Sequence, residues 1–157
     1  MKMKKDANRA ALVLGAALLL PMSVALAQLD SVKTAGGNVR VGEVDYTKTL
    51  MLGNKPIAGV EPNDHVSILR KFSVSGNDVL LVSTQCGGSA CALVGYQFVT
   101  VGQGGKISVS AEMHGADGQD PQISVTGDTI TLKLVAFVGR KQKTTTWVYQ
   151  NGVVKKA

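Results

Sequence analysis

The chain has 157 residues, with 17 Lys and Arg against 11 Asp and Glu, a formal net charge of +6, and only 4% aromatic residues. That length suits one domain of ordinary size, able to bury a core without many covalent staples. The sparse aromatics exclude the interleaved aromatic and basic face of a nucleic-acid binder, and two cysteines with two histidines make a thiolate-rich metal module a poor fit.

Met1 to Arg9 carries Lys2, Lys4, Lys5 and Arg9 against one acid, Asp6. Ala10 to Leu20 is an unbroken apolar run closed by Pro21, and Ala25-Leu26-Ala27 supplies small residues where a signal peptidase reads. These are the three parts of a secretory signal peptide, with cleavage before Gln28. The apolar run is shorter than the ~20 residues a spanning helix needs, and no Cys follows the cleavage position to take a lipid. The expectation is a leader over 1–27 and one exported domain over 28–157. That domain has no transmembrane segment and resides in the periplasm, with release from the cell as the other destination. Cleavage removes four cations and one acid, leaving thirteen against ten, so much of the basicity belongs to the leader. What stays uneven is the C-terminal end, where Lys133, Arg140, Lys141, Lys143, Lys155 and Lys156 follow Asp128 with no further acid. Such a cluster suits an anionic partner or a strand edge kept soluble by lysines.

The exported part alternates apolar and polar residues and shows no sustained helical period. Asn38 to Tyr46 places Val39 and Val41, then Val44 and Tyr46, inward, with a phase slip near Gly42 of the kind a bulge produces. Val66 and Ile68, then Phe72 and Val74, predict a strand pair or one long bent strand. Val79-Leu80-Leu81-Val82 is apolar on both faces and predicts a central strand. Tyr96, Phe98, Val99 and Val101 continue the pattern, followed by Ile107 to Ala111, Ile123 to Val125, Ile130 to Leu134, and a last long strand with Thr145, Trp147 and Tyr149 on one side. Asn151-Gly152 between two such runs signals a type I′ hairpin. Turns at Gly76-Asn77-Asp78, Gln103-Gly104-Gly105 and Gly127-Asp128 complete an all-β reading: a single antiparallel β-sandwich or barrel-like domain.

Ser73 to Leu81 aligns with Ser124 to Leu132 at an offset of 51 residues, which also sets Tyr96 opposite Trp147 and Phe98 opposite Tyr149. An internal two-fold repeat is one account; convergence of hairpin patterns on the same favoured residues is the other.

Both cysteines lie in one stretch, Thr84 to Val94, reading TQCGGSACALV. An exported chain meets an oxidising compartment, so Cys86 and Cys91 are expected to be joined. Gly87, Gly88, Ser89 and Ala90 between them are small enough for a tight loop, a candidate binding loop. Two thiols fall short of a zinc site, and redox pairs of the thioredoxin type enclose two residues rather than four. Gly87-Gly88-Ser89-Ala90-Cys91 starts like a nucleophile elbow but lacks its last glycine and the strand-to-helix context. A serine mechanism would need His65 or His114 beside Ser89, with Asp64 or Asp117 behind. Met113 to Pro121 is the most polar loop of the exported part. Asp117 and Asp120 offer oxygens to calcium without the regular spacing or the closing Glu, and Met113 with His114 is a sparse soft-metal pair. Gly53-Asn54-Lys55-Pro56 has no phosphate-loop glycine pattern around it and reads as a turn.

No cofactor and no metal follow from these residues. The leading functional expectation is a non-catalytic periplasmic binding protein, an inhibitor or immunity protein for another exported protein, with a protein or envelope component as partner and no nucleic acid. The alternatives are a structural subunit of an envelope assembly, and a small hydrolase using Ser89 or the 113–120 loop.

Overall fold

The computed structural model describes residues 28–157; the leader expectation falls on residues outside them. The described chain is built from antiparallel strands in three sheets, with one short 3-10 turn at Gln103–Gly105. The N-terminal sheet runs β1 (Ser31–Thr34), β2 (Gly37–Val44), β3 (Thr47–Leu52) and β4 (Lys55–Pro56). The central sheet runs β5 (His65–Val74), β6 (Asn77–Gln85), β7 (Leu93–Val101) and β8 (Ile107–Val109), with β9 (Met113–Ala116) also paired to β7. The C-terminal sheet runs β10 (Gln122–Thr126), β11 (Thr129–Val138), β12 (Lys141–Gln150) and β13 (Val153–Lys156).

The central sheet is buried on both faces, so the expected sandwich becomes two cores sharing one sheet. Val79, Leu81, Tyr96, Phe98 and Met113 pack against Ile130, Leu132, Leu134 and Tyr149 of the C-terminal sheet. Leu80, Val82, Val99 and Val101 point the other way, onto Val39, Leu50, Ile57 and Val60 from the N-terminal sheet and the segment after it. The doubly apolar run of β6 is explained by this position: every residue from Asp78 to Val82 is buried. Each fully buried Val or Leu adds about 1.5–3 kcal/mol over its exposed state.

The long bent strand expected across Val66 to Val74 is β5, and its bend has a cause. The β5–β6 register slips between Ile68 and Arg70, leaving Leu69 as an extra residue. Without it, Val66, Ile68, Phe72 and Val74 would share one face. With it, Val66 and Ile68 enter the core with the N-terminal sheet while Phe72 and Val74 enter the other.

Two local expectations need correcting. No bulge interrupts β2, whose register with β3 is continuous from Val39↔Leu52 to Val44↔Thr47. The slip read near Gly42 comes from grouping Val44 and Tyr46 with Val39 and Val41: in the continuous strand Val44 faces the other way, outside the core that takes Val39 and Val41, and Tyr46 lies in the turn that follows. Asp45 and Tyr46 take φ of 48° and 65°, and Tyr46 is 97% exposed. The turn read as Gly76-Asn77-Asp78 lies one residue earlier, at Ser75-Gly76, since β6 already begins at Asn77. The Asn151-Gly152 hairpin is as expected, with φ of 51° and 80° and Gln150 opposite Val153.

Asp78 clamps the N-terminal sheet to the central one. Its carboxylate accepts the Ala35 N–H at 2.6 Å and pairs with the Lys71 ammonium at 3.0 Å, while Lys71 also donates to Lys33 O at 2.8 Å. Burial alone would raise the pKa of this carboxyl, but hydrogen bonds from Lys71 and Ala35, the Lys71 charge and Ser73 together hold it below the ordinary value.

The strands give the molecule two ends. The turns Ser75-Gly76 and Gly127-Asp128 meet at one end, where Ser75 N donates to Asp128 Oδ1 at 3.2 Å. From there β6 runs to the cysteine loop, and β11 runs the same way past β9, with Gly115 packed against Leu134.

Candidate functional site

The end opposite the Ser75–Asp128 contact gathers loops from all three sheets. Its centre is the connection from β6 to β7. Cys86 and Cys91 are bonded across a Cα separation of 5.8 Å, within the usual span of a disulfide. Inside the ring, Cys91 N donates to Gly88 O at 3.1 Å, and just after it Ala92 N donates to Ala90 O at 3.2 Å. Gly88 takes a φ of 134°, which only glycine adopts readily. Cys86, Gly87, Gly88, Ser89 and Ala90 are all exposed, as is Leu93 at the root of β7.

The loop is also anchored from outside on both flanks. Gly87 N–H donates to the Asp64 carboxylate. On the far side, Asp117 N donates to Ala92 O at 3.1 Å. The disulfide therefore stands between two polar segments that are distant from it in sequence.

A groove lies on each side of the β6 end. One, of about 780 Å³, is lined by Asp30, Glu43, Lys48, Asp64 and His65. Lys48 exchanges backbone hydrogen bonds with Asn63 at 2.7 and 2.8 Å, which brings the β2–β3 hairpin and its exposed Tyr46 to this end. The other groove, of about 280 Å³, is lined by Ser83, Gln85, Tyr96, Asp117, Asp120 and Pro121. Burial, followed by the charges of Asp120 and Asp117, pushes the Tyr96 hydroxyl pKa up.

The residues of the polar loop divide. Met113 is buried in the core and His114 is exposed, because neighbouring residues of a strand face opposite ways. Asp117 and Asp120 face a common groove, and Asp117 Oδ1 accepts the Gly118 N–H at 2.8 Å, an ordinary local turn contact. Ser89 is exposed on the disulfide loop. His114 Nε2 lies 3.7 Å from Glu112 Oε2, and His65 sits across from Gln85 in the β5–β6 register. Among the described residues, no three His, Cys, Asp or Glu side chains gather closely enough to hold a metal ion.

One grouping escaped the sequence. Glu112 lies over Gly95 and accepts the Thr84 hydroxyl at 3.1 Å, with His114 on its other oxygen. Thr84 and His114 are 30 positions apart in the chain, and they meet only because β6, β7 and β9 are neighbours, with Thr84, Gly95 and His114 in one cross-strand row. No residue pattern along the chain announces that.

No curated protein and no solved structure matches this chain. A family described as the Y4bG N-terminal domain does match, over residues 35–157, from the β1–β2 turn through β13, and so takes in the disulfide loop and all the loops around it except the first residues at the domain's entry. On that match the chain belongs to the Y4bG N-terminal domain family.

Proposed function

We propose that the chain is an exported, periplasmic binding protein that holds another exported protein, as an inhibitor or immunity protein, without catalysis of its own. The observation that carries this reading is the Cys86–Cys91 loop: exposed from Cys86 to Ala90, closed by a covalent bond, and anchored by Asp64 on one flank and Asp117 on the other. A loop fixed before binding loses little freedom on docking, so more of its contact energy appears as affinity. Exposed Leu93 beside the loop, with a groove on either side, gives it an apolar contact and two recesses.

The test is recovery of the chain from the periplasm of its host with whatever is bound, and mass spectrometry of the companions. One stoichiometric protein, released by Ser89→Arg or by Leu93→Ser, supports the reading. A companion held equally well by both variants moves the contact elsewhere. A chain recovered only with copies of itself favours an envelope-assembly subunit. Ser89→Arg is preferable to Gly88→Trp, because a side chain at the φ of Gly88 strains the loop by itself.

A further inference from the structure

The β11–β12 hairpin is longer than the sheet it belongs to. Its strands stay paired from Thr129↔Gln150 to Val138↔Lys141. On one side β10 ends opposite Lys133, and on the other β13 ends opposite Trp147, with Ala157 N reaching back to Thr146 O at 3.0 Å. Leu134 and Val135 still pack on Gly115 of β9. Beyond them residues 136–143 pair only with each other, a two-stranded ribbon extending about 10 Å at ~3.3 Å per residue, half-buried at Ala136 and exposed from Phe137 to Lys143.

The tip of this ribbon is apolar where a soluble hairpin is normally polar. Phe137 is 56% exposed and Val138 65%. Successive strand residues face opposite ways, so the two lie on opposite faces of the ribbon. Phe137 is beside Gln142; Val138 is beside Lys141, and Ala136 beside Lys143, with Arg140 in the turn. A flat protein partner laid on one face would cover Phe137 or Val138 and leave the other wet. A layer into which the tip dips covers both. The lipid–water interface is such a layer: it takes up apolar tips while Lys and Arg spread their stems toward the headgroups.

The charge has the matching sign. No acid follows Asp128, and Asp128 lies at the far end of the sheet. Lys133, Lys155 and Lys156 add to the three cations of the tip. The acids of this end, Asp30, Glu43, Asp64, Glu112, Asp117 and Asp120, belong to the two grooves and the row beside β9, and none of them is on the projecting ribbon. We infer that the 136–143 tip docks the protein on an anionic phospholipid surface, Phe137 and Val138 entering the interface and Arg140, Lys141 and Lys143 binding the phosphates. Docking of this kind is shallow and reversible, and it weakens with salt.

The experiment uses the chain as recovered from an exporting host, sedimented with phosphatidylcholine vesicles with and without phosphatidylglycerol. It is expected to pellet only with the anionic vesicles and to be released at about 1 M salt, where the screening length falls to ~3 Å. Each of Arg140→Ser, Lys141→Ser and Lys143→Ser is expected to weaken partition about fivefold, and Phe137→Ser with Val138→Ser roughly tenfold or more. All five positions are exposed, and unchanged near-ultraviolet dichroism of Trp147 confirms that the variants are folded. No pelleting with phosphatidylglycerol overturns the inference, as does pelleting that ignores salt or the tip variants. Capture by soluble polyglutamate with vesicles left unbound would assign the tip to an acidic polypeptide instead. A dimer in solution that Phe137→Ser dissociates, without vesicle binding, would assign it to a second copy. The periplasmic partner experiment above reads a different loop, so either reading fails independently of the other.

Discussion

The rings of Phe98 and Tyr149 meet across the core with centroids 4.9 Å apart and planes tilted by 42°. These are the residues paired by the 51-position offset between the two halves of the sequence. The offset also matches Val79 to Ile130 and Leu81 to Leu132, and all of these face the same core. The central and C-terminal sheets thus present corresponding residues to each other. Tyr149 adds a polar handle, its hydroxyl 2.6 Å from Thr100 Oγ1. Phe98→Ala is expected to cost about 3–5 kcal/mol through lost burial and the cavity left behind. Tyr149→Phe is expected to cost about 1–3 kcal/mol, because the Thr100 hydroxyl loses its partner in a half-buried place. Urea unfolding of both variants measures this, and a Phe98→Leu, Tyr149→Leu double cycle should show a coupling of about 0.5–1.5 kcal/mol.

What could be read in the sequence was what is decided locally. The two-faced run of β6, the Asn151-Gly152 turn and the short ring closed by Cys86 and Cys91 each depend on adjacent residues, and the structure has all three. What escaped depends on distant ones or on a residue in an unusual conformation. The apolar alternation carries Tyr46 into the strand, yet it closes a turn at a φ of 65°, a conformation tyrosine seldom takes. The slip at Leu69 leaves no mark in the residues themselves, because either register buries apolar side chains and only the demands of two cores choose between them. Asp64 anchoring Gly87, 23 positions later, and Glu112 between Thr84 and His114 are products of topology alone. The C-terminal cations were visible as composition, but their gathering on a projecting tip required the lengths of β10 and β13.

The Asp78 clamp should make stability depend on acid. Its pKa is lowered on folding, while an unfolded Asp titrates near about 3.9. Above that value the carboxyl is ionised in both states and its full contribution is present. As pH falls through the folded-state value, the unfolded chain has already taken up its proton and the contribution is lost. Asp78→Asn is therefore expected to destabilise at pH 7, by about 1–3 kcal/mol for the broken contacts to Ala35 and Lys71, and to reduce the loss of stability between neutral and acidic pH. Urea midpoints of the two proteins at pH 7 and pH 3 check this; equal losses across that range would show that Asp78 does not govern the acid limb.

Gly36 marks a second contact between the N-terminal and central sheets. A Cβ placed there would come 2.7 Å from Val101 Cγ1, 2.8 Å from Gly102 O and 2.9 Å from Gly105 Cα. Two of those atoms are backbone and cannot swing aside. Gly36→Ala is expected to destabilise by about 1–3 kcal/mol through overpacking. Gly53→Ala, where a Cβ meets nothing within 4 Å but φ is 59°, separates the two kinds of glycine requirement: its cost is conformational strain of about 1–2 kcal/mol. Thermal unfolding of both proteins tests the distinction when Gly36→Ser is added. Serine enlarges the clash at position 36 and should lower the midpoint below that of Gly36→Ala.

The disulfide should matter more for recognition than for folding. It closes a ring with a sequence separation of 5, and a loop that short is worth only about 2 kcal/mol by the chain-entropy expression. Neither Cys86 nor Cys91 belongs to either core. The paired change Cys86→Ser, Cys91→Ser is therefore expected to lower stability by about 2 kcal/mol while leaving a folded, cooperative domain. The loop, however, would keep only its hydrogen bonds to Asp64 and Asp117 as anchors. Ordering it again on docking falls on the binding step at about 0.5–1.5 kcal/mol per immobilised side chain. If the loop is the contact, affinity for the captured partner should drop about tenfold or more, mainly through faster dissociation. Measuring unfolding and partner dissociation on the same double variant distinguishes the roles: a stability loss with unchanged dissociation would make the bridge a staple alone, whereas faster dissociation from a still-folded domain places the partner on the loop.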